Sequence, residues 1–245
     1  MSDRPHVILL NGTSCSGKSS VSRELRALTD RPYLAVASEL FIPMLAGKFT
    51  GVDASITKGM LEGKGKVDED VHRAASSWSD VDAPLPRLGF QITVRDEGGQ
   101  PTFHSRCGPV GWNLVAGMHR AVAAIARAGN FIVMEDVVSE VLLRDYCVAL
   151  EGLDVYLVGL VCSLQELERR ERARHNRAVG AVRMQFPKVH VPGEYDLTVD
   201  TETLGPNEGA QLILDHVASH PPRALDILAA RFVGSGFRPF PIETF

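Results

Sequence analysis

The chain has 245 residues, a formal net charge of −4, 44% hydrophobic residues and 23% charged residues. That is an ordinary globular composition, long enough to bury a core without disulfides and slightly short for two large domains. The charge excludes a global field for nucleic acid. Four scattered cysteines, Cys15, Cys107, Cys147 and Cys162, include no C-x-x-C pair, which argues against a zinc site and implies reduced thiols. No apolar run approaches the roughly 18 residues of a membrane span. Met1 leads almost directly into an apolar run with no basic-then-apolar leader, so the expectation is a cytoplasmic chain that binds neither membrane nor nucleic acid.

His6–Asn11 is an apolar run ending at Gly12, the pattern of a buried parallel strand. The spacing of Val21, Leu25 and Leu28 predicts a helix over Lys18–Thr29. Tyr33–Ala37 reads as a second buried strand, and Ser38 as the N-cap of a short helix to Leu45. Residues 47–88 are rich in glycine and charge and poor in apolar periodicity, with a breaker cluster at Asp82–Pro86. Only Asp68–Trp78 is helix-like there, and the segment is expected to be a mobile flap. Phe90–Val94 and Pro101–Ser105, joined through Asp96-Glu97-Gly98-Gly99, predict a β-hairpin.

Beyond it, helices are expected over Gly111–Ala128, Ser139–Leu150, Ser163–Asn176 and Asn207–Ser219. Strands are expected over Phe131–Val137, Val155–Cys162 and Tyr195–Asp200. After Pro221-Pro222, Arg223–Phe232 reads as one more amphipathic helix. Five short apolar strands alternating with helices specify an α/β fold, a five-stranded parallel sheet with helices on both faces. The organisation expected is one catalytic domain over 1–220, with an inserted hairpin and flap region over 47–107, and a C-terminal extension over 221–245.

Gly12-Thr13-Ser14-Cys15-Ser16-Gly17-Lys18-Ser19 matches G-x-x-x-x-G-K-[ST] in full, between a strand and a helix as the mechanism requires. The glycines let the backbone curl so that N–H groups point inward at a phosphate. The helix N-terminus adds partial positive charge, Lys18 reaches the β- and γ-phosphates, and the Ser19 hydroxyl can ligate Mg²⁺. Ser20 completes the nucleotide-binding set, and ATP with Mg²⁺ is the expected cofactor pair. The alternative, an ordinary glycine turn, does not require a lysine and a hydroxyl at these positions.

Glu135-Asp136 ends the strand Phe131–Val137, where a P-loop protein holds the water shell of its Mg²⁺. Asp136 is the residue expected there, although these acids would also cap the next helix. Glu39, 21 residues after Lys18, follows the second strand. It faces the crevice at the carboxyl end of the sheet and can accept the proton of an attacking hydroxyl. On the residues alone it reads first as an exposed first-turn Glu favoured by the helix dipole. Arg170, Arg174 and Arg177 recur at i, i+4, i+7, a face suited to phosphoryl oxygens. Against this stands a solvated face balanced by Glu166, Glu168 and Glu171.

The chain resembles the chloramphenicol phosphotransferase family of P-loop kinases. The resemblance is carried by Ile8–Ser19, by Tyr33-Leu34-Ala35 with an acid four residues on, and by Ala126-Arg127-Ala128-Gly129 before Phe131–Val137. Asp154–Cys162, Arg174-His175-Asn176-Arg177 and Glu194–Thr201 continue it. It implies the P-loop kinase fold, with Glu39 as general base, Arg174 and Arg177 as lid arginines and Asp136 as the strand-end acid. The family has aspartate where this chain has Glu39, a longer connection stands at 47–88, and the tail 221–245 is additional. Chloramphenicol itself therefore does not carry over as the acceptor.

These readings converge on an ATP-dependent O-phosphotransferase acting on a hydroxyl of a small molecule, an antibiotic or related secondary metabolite. Two others stand beside it. A primary-metabolite kinase would hold a charged acceptor with arginines such as Arg95, Arg106 and Arg120. A nucleotide-binding regulatory or toxin-like module would need no acceptor. Homo-oligomerisation is left open.

Overall fold

The computed structural model describes residues 4–54, 56, 78–174, 179–191 and 193–233. Strands β1 (His6–Asn11), β2 (Tyr33–Ala37), β6 (Phe131–Asp136), β7 (Asp154–Val161) and β8 (Leu197–Asp200) form one sheet in the order β2-β6-β1-β7-β8. Every pairing in it is parallel. A second sheet joins β3 (Thr50–Val52), β4 (Phe90–Asp96) and β5 (Pro101–Cys107), the last two being the expected hairpin.

Helices α1 (Lys18–Ala27), α2 (Pro109–Arg127), α3 (Glu140–Ala149), α4 (Leu164–Ala173), α5 (Ala181–Val189), α6 (Pro206–Ser219) and α7 (Ala224–Val233) complete the described elements. Alternate residues of the sheet point to opposite sides. Val7, Leu9, Ile132, Met134, Val155 and Leu157 pack with α2, α3 and α7 in one core. Ile8, Leu10, Val133, Tyr156, Val158 and Leu160 pack with α1 and α6 in the other. The C-terminal helix α7 buries Ala224, Leu225, Leu228 and Phe232, and the Asp196 carboxylate accepts the N–H groups of Arg223 and Ala224 at its start.

Two expectations are corrected. Ser38–Leu45 is not one helix but two 3₁₀ turns, Ser38–Leu40 and Ile42–Met44. Pro43 explains this: its ring removes a backbone donor and disfavours α geometry at Ile42. Within the 47–88 connection, the described residues include the 3₁₀ turns Gly47–Phe49 and Leu85–Arg87 and strand β3, where Gly51 bridges Ser79. Val52 and Ile56 are buried there against Phe103. The helix expected over 68–78 lies, except for Trp78, outside the described residues. Finally, the helix expected to Asn176 stops at Ala173, and α5, not expected at all, follows it.

Candidate active site

The parallel register gathers the site. Asn11 lies beside Asp136 and Gly159, and Ala37 beside Glu135. The ends of β2, β6, β1 and β7 therefore meet along one edge, the usual ligand crevice of an open parallel sheet. Asn11, buried at that edge, takes the Val138 N–H at 2.8 Å and donates to the carbonyl of Val189 at 2.8 Å and to the Tyr195 hydroxyl at 2.9 Å. It ties the start of the loop to β6, α5 and the segment before β8.

From Gly12 the chain coils into the loop and enters α1 at Lys18. A Cβ at Gly12 would lie 2.8 Å from the Leu160 carbonyl oxygen, so only glycine fits. Cys15 (φ 65°) and Gly17 (φ 89°) both take left-handed geometry, the alternation that turns successive N–H groups into an anion-binding concavity. Lys18 Nζ donates to the carbonyls of Gly12 and Thr13, each at 2.8 Å, and so bridges the loop's own mouth. Ser19 Oγ donates to Glu135 Oε2 at 2.6 Å. These features fit a nucleotide phosphate and its Mg²⁺: the cradle is formed, and a hydroxyl and a carboxylate already converge beside it. Among the described residues no three His, Cys, Asp or Glu side chains cluster as a metal cage. Mg²⁺ typically needs none, since one or two carboxylates and the phosphates complete its shell.

Two cavities adjoin the loop. The larger, about 250 Å³, is walled by Gly17, Val21, Arg170, Thr201, Leu204 and Pro206. The smaller, about 70 Å³, is walled by Ser14, Lys18, Ser19, Glu39, Glu135 and Asp136. Cys15, Gly17, Ser20 and Arg174 line both. The loop thus has a wide end over α1 and a narrow, acidic end under β2 and β6.

Asp136 is nearly buried, with Oδ1 accepting the Val137 N–H at 2.7 Å and Oδ2 accepting the Tyr146 hydroxyl at 2.9 Å. Burial, together with the Asp136 charge, pushes the Tyr146 phenol well above its ordinary range, so it stays protonated and donates. Tyr146 stacks on His119 with ring centroids 3.6 Å apart, and His119 pairs with Asp145, which also binds Arg120. Burial and then the charge of Lys18 lower the pKa of His190.

Arg170 donates to Glu166 Oε1 at 2.7 Å and to the Thr201 carbonyl at 2.7 Å. Arg174 stands past the helix end in extended geometry. Arg170 and Arg174 therefore do not continue one helical face, although both line the same cavity. Glu171 is buried, and its two oxygens accept the N–H groups of Gly180 and Val182 at 3.0 Å each. It caps α5 rather than balancing surface arginines.

The family model for chloramphenicol phosphotransferase-like proteins matches residues 5–218. The chain belongs to that family. A Mycobacterium tuberculosis (strain H37Rv) protein, Rv2636, provisionally named an O-phosphotransferase, is 24% identical over 93% of this chain and 89% of its own length. Among solved structures, the tunicamycin resistance protein of Deinococcus radiodurans has 16% identity and a TM-score of 0.50, covering 90% of this chain and 99% of its own. A Chloroflexus aurantiacus protein provisionally named a kinase has 18% identity and a TM-score of 0.50, covering 89% and 99%. The fold is that of the P-loop kinases, and phosphoryl transfer is the coarse activity that family and fold support.

Of the residues singled out from sequence, the fold brings together Gly12 through Ser20, Glu39, Asp136 and Arg174; Arg177 lies outside the described residues. Sequence reasoning missed three groups. Glu135, not Asp136, bonds Ser19. Tyr146 holds Asp136 from the next helix. Gln185 of α5 accepts the Ser14 N–H at 2.6 Å. The apolar pair Val182 and Val189 was the available signal for α5, and Pro187 obscured it.

Proposed function

We propose that this chain transfers the γ-phosphoryl group of ATP, with Mg²⁺, to a hydroxyl of a neutral small molecule, an antibiotic or related secondary metabolite. The observation that carries this reading is the narrow cavity in which Glu39 shares a wall with Lys18, Ser19, Glu135 and Asp136. A base, a phosphate-binding cation and a metal-binding hydroxyl in one small space is what transfer to an alcohol requires. The bound nucleotide supplies the electrophilic phosphoryl group, and Mg²⁺ neutralises its charge.

The chain's own residues do the rest. The wide cavity receives the nucleoside end and the loop N–H groups cradle the phosphates. Lys18 exchanges its carbonyl partners for phosphate oxygens. Ser19 with Glu135 and Asp136 holds the metal and its water, Asp136 being fixed by Tyr146. Arg174, and Arg177 by family resemblance, bring guanidinium groups to the transferring oxygens. Glu39 orients the acceptor hydroxyl and takes its proton.

A charged acceptor finds little support. Arg120 is committed to Asp145. Arg95 and Arg106 are exposed on the β4–β5 hairpin and line neither cavity. The family name points to an antibiotic-like acceptor, and the connection over 47–88 would shape its pocket. The test is labelled ATP with purified protein against a panel of antibiotics and metabolites. Mg²⁺-dependent label on one neutral hydroxyl compound is the expected result. ATP turnover without an acceptor, or no transfer to any compound, would favour the regulatory module instead.

A further inference from the structure

Among the described residues, Val21, Arg170, Thr201, Leu204 and Pro206 wall the wide cavity and not the narrow one. Three of these side chains are apolar, and the polar groups of the wall are turned back onto the protein. The Thr201 N–H and hydroxyl both donate to the Val161 carbonyl, at 2.9 and 3.2 Å, and the Thr201 carbonyl accepts from Arg170. The N–H of Leu204 donates to the Asp200 carbonyl, and that of Val21 to the Gly17 carbonyl. Pro206 has no N–H to give. Between them in the chain, the N–H groups of Glu202 and Gly205 are taken by the carboxylates of Asp200 and Glu208.

Arg170 is held in its own plane. Its Nε donates to Glu166 Oε1 and its Nη2 to the Thr201 carbonyl, each at 2.7 Å. Nη1 makes longer contacts with the Thr201 hydroxyl at 3.4 Å and the Cys15 carbonyl at 3.5 Å. The donors of a guanidinium lie in its plane, so with all three nitrogens engaged the group offers the cavity a flat cationic face. Such a face stacks on an aromatic ring. Choosing adenine over guanine takes contacts at the base edge instead. Adenine needs a donor to the ring nitrogen beside its amino group, where guanine carries an N–H and a carbonyl. The N–H and hydroxyl groups of Val21, Thr201 and Leu204 are already spent, and a carbonyl accepts from the amino group of either purine.

We infer that the nucleoside end of this site holds a purine by stacking, on Arg170 and against Leu204 and Pro206, without reading its edge. GTP then serves as phosphoryl donor as well as ATP. The inference rests on the phosphoryl-transfer reading above, which puts the nucleoside in the wide cavity, and widens the donor from ATP to purine nucleoside triphosphates. A pyrimidine has one ring to stack and binds more weakly.

The test is calorimetry on the full chain with Mg²⁺ and four probes: ADP, GDP, CDP and inorganic pyrophosphate. ADP and GDP should bind the wild type within about threefold of each other, and CDP about fivefold or more weakly. Arg170→Lys keeps a charge but not the flat face. It should weaken ADP and GDP by one common factor of about 5 to 30 and leave pyrophosphate within about twofold. A preference of about tenfold or more for either purine, the effect of one good hydrogen bond, would overturn the inference by showing that the edge is read. CDP bound as tightly as the purines would overturn the stacking. Parallel loss of pyrophosphate in Arg170→Lys would overturn it by placing Arg170 on the phosphates. If the wild type bound pyrophosphate but no nucleotide more tightly, the base would have no place in the wide cavity. A wild type that bound none of the four would sink the phosphoryl-transfer reading itself.

Discussion

Removing the Glu171 carboxylate should loosen the whole nucleotide side of the molecule, although Glu171 lines neither of the two cavities beside the loop. Its residue is only 3% exposed, and its oxygens satisfy two N–H groups of buried residues at 3.0 Å each. Helix α5 has no cap of its own, because its N-cap is Gly180, and Pro187 removes one of its internal hydrogen bonds. Glu171→Ala thus loses two charge-assisted bonds, nominally about 1.5–3 kcal/mol each, and leaves both donors desolvated. Relief from burying the charge offsets part of this, so we expect a net loss of about 3 kcal/mol. Glu171→Gln keeps one acceptor but sets its –NH₂ against the second N–H, and should lose roughly half or more of that amount. Urea unfolding followed by circular dichroism gives both values, with an unchanged m showing that the native surface is retained. Hydrogen exchange at Gly180 and Val182 should accelerate while β1 stays protected. A Glu171→Ala protein within about 0.5 kcal/mol of wild type would refute the cap, and with it the rigid placement of Gln185.

Lys18→Ala should abolish transfer with the fold intact, and near-normal turnover at saturating ATP would remove the loop from catalysis. Glu39→Gln keeps reach but cannot take a proton, so kcat should fall strongly at nearly constant nucleotide affinity. Glu39→Asp withdraws the carboxylate by about 1.5 Å and should be impaired less than Gln, up to about 10²-fold; full activity in Gln would exclude Glu39 as the base. Tyr146→Phe deprives the nearly buried Asp136 of one donor and should cost about 1–3 kcal/mol of stability. It should also raise the Mg²⁺ concentration for half-maximal transfer, whereas a stability loss with unchanged Mg²⁺ dependence would confine Tyr146 to a structural role.

The amino-acid sequence determined whatever is written in contiguous residues. His6 to Ser19 carry a buried strand, a complete phosphate-binding loop and a helix start in one stretch, and the apolar runs that follow each specify a strand, although β2, expected to be buried, lies at the sheet edge and leaves Leu34 and Ala35 exposed. The β-hairpin, the parallel sheet and α7 were legible for the same reason, since periodicity is a local property. Two prolines marked the limits of that reading: Pro43 broke the expected helix after β2, and Pro187 hid α5. The site's partners were decided only in three dimensions. Glu135 and Asp136 are adjacent in sequence but point to opposite sides of β6. Which of them meets Ser19 depends on how the sheet lies against α1. Glu171 has surface arginines as its neighbours in sequence and is nonetheless buried, because the chain turns back after Ala173 and brings the start of α5 to its carboxylate. Gln185 stands 171 residues from Ser14, and no spacing rule connects them. Hydrogen bonds act over about 3 Å of space whatever the separation along the chain, so only the folded arrangement of β1, α4 and α5 could pair them.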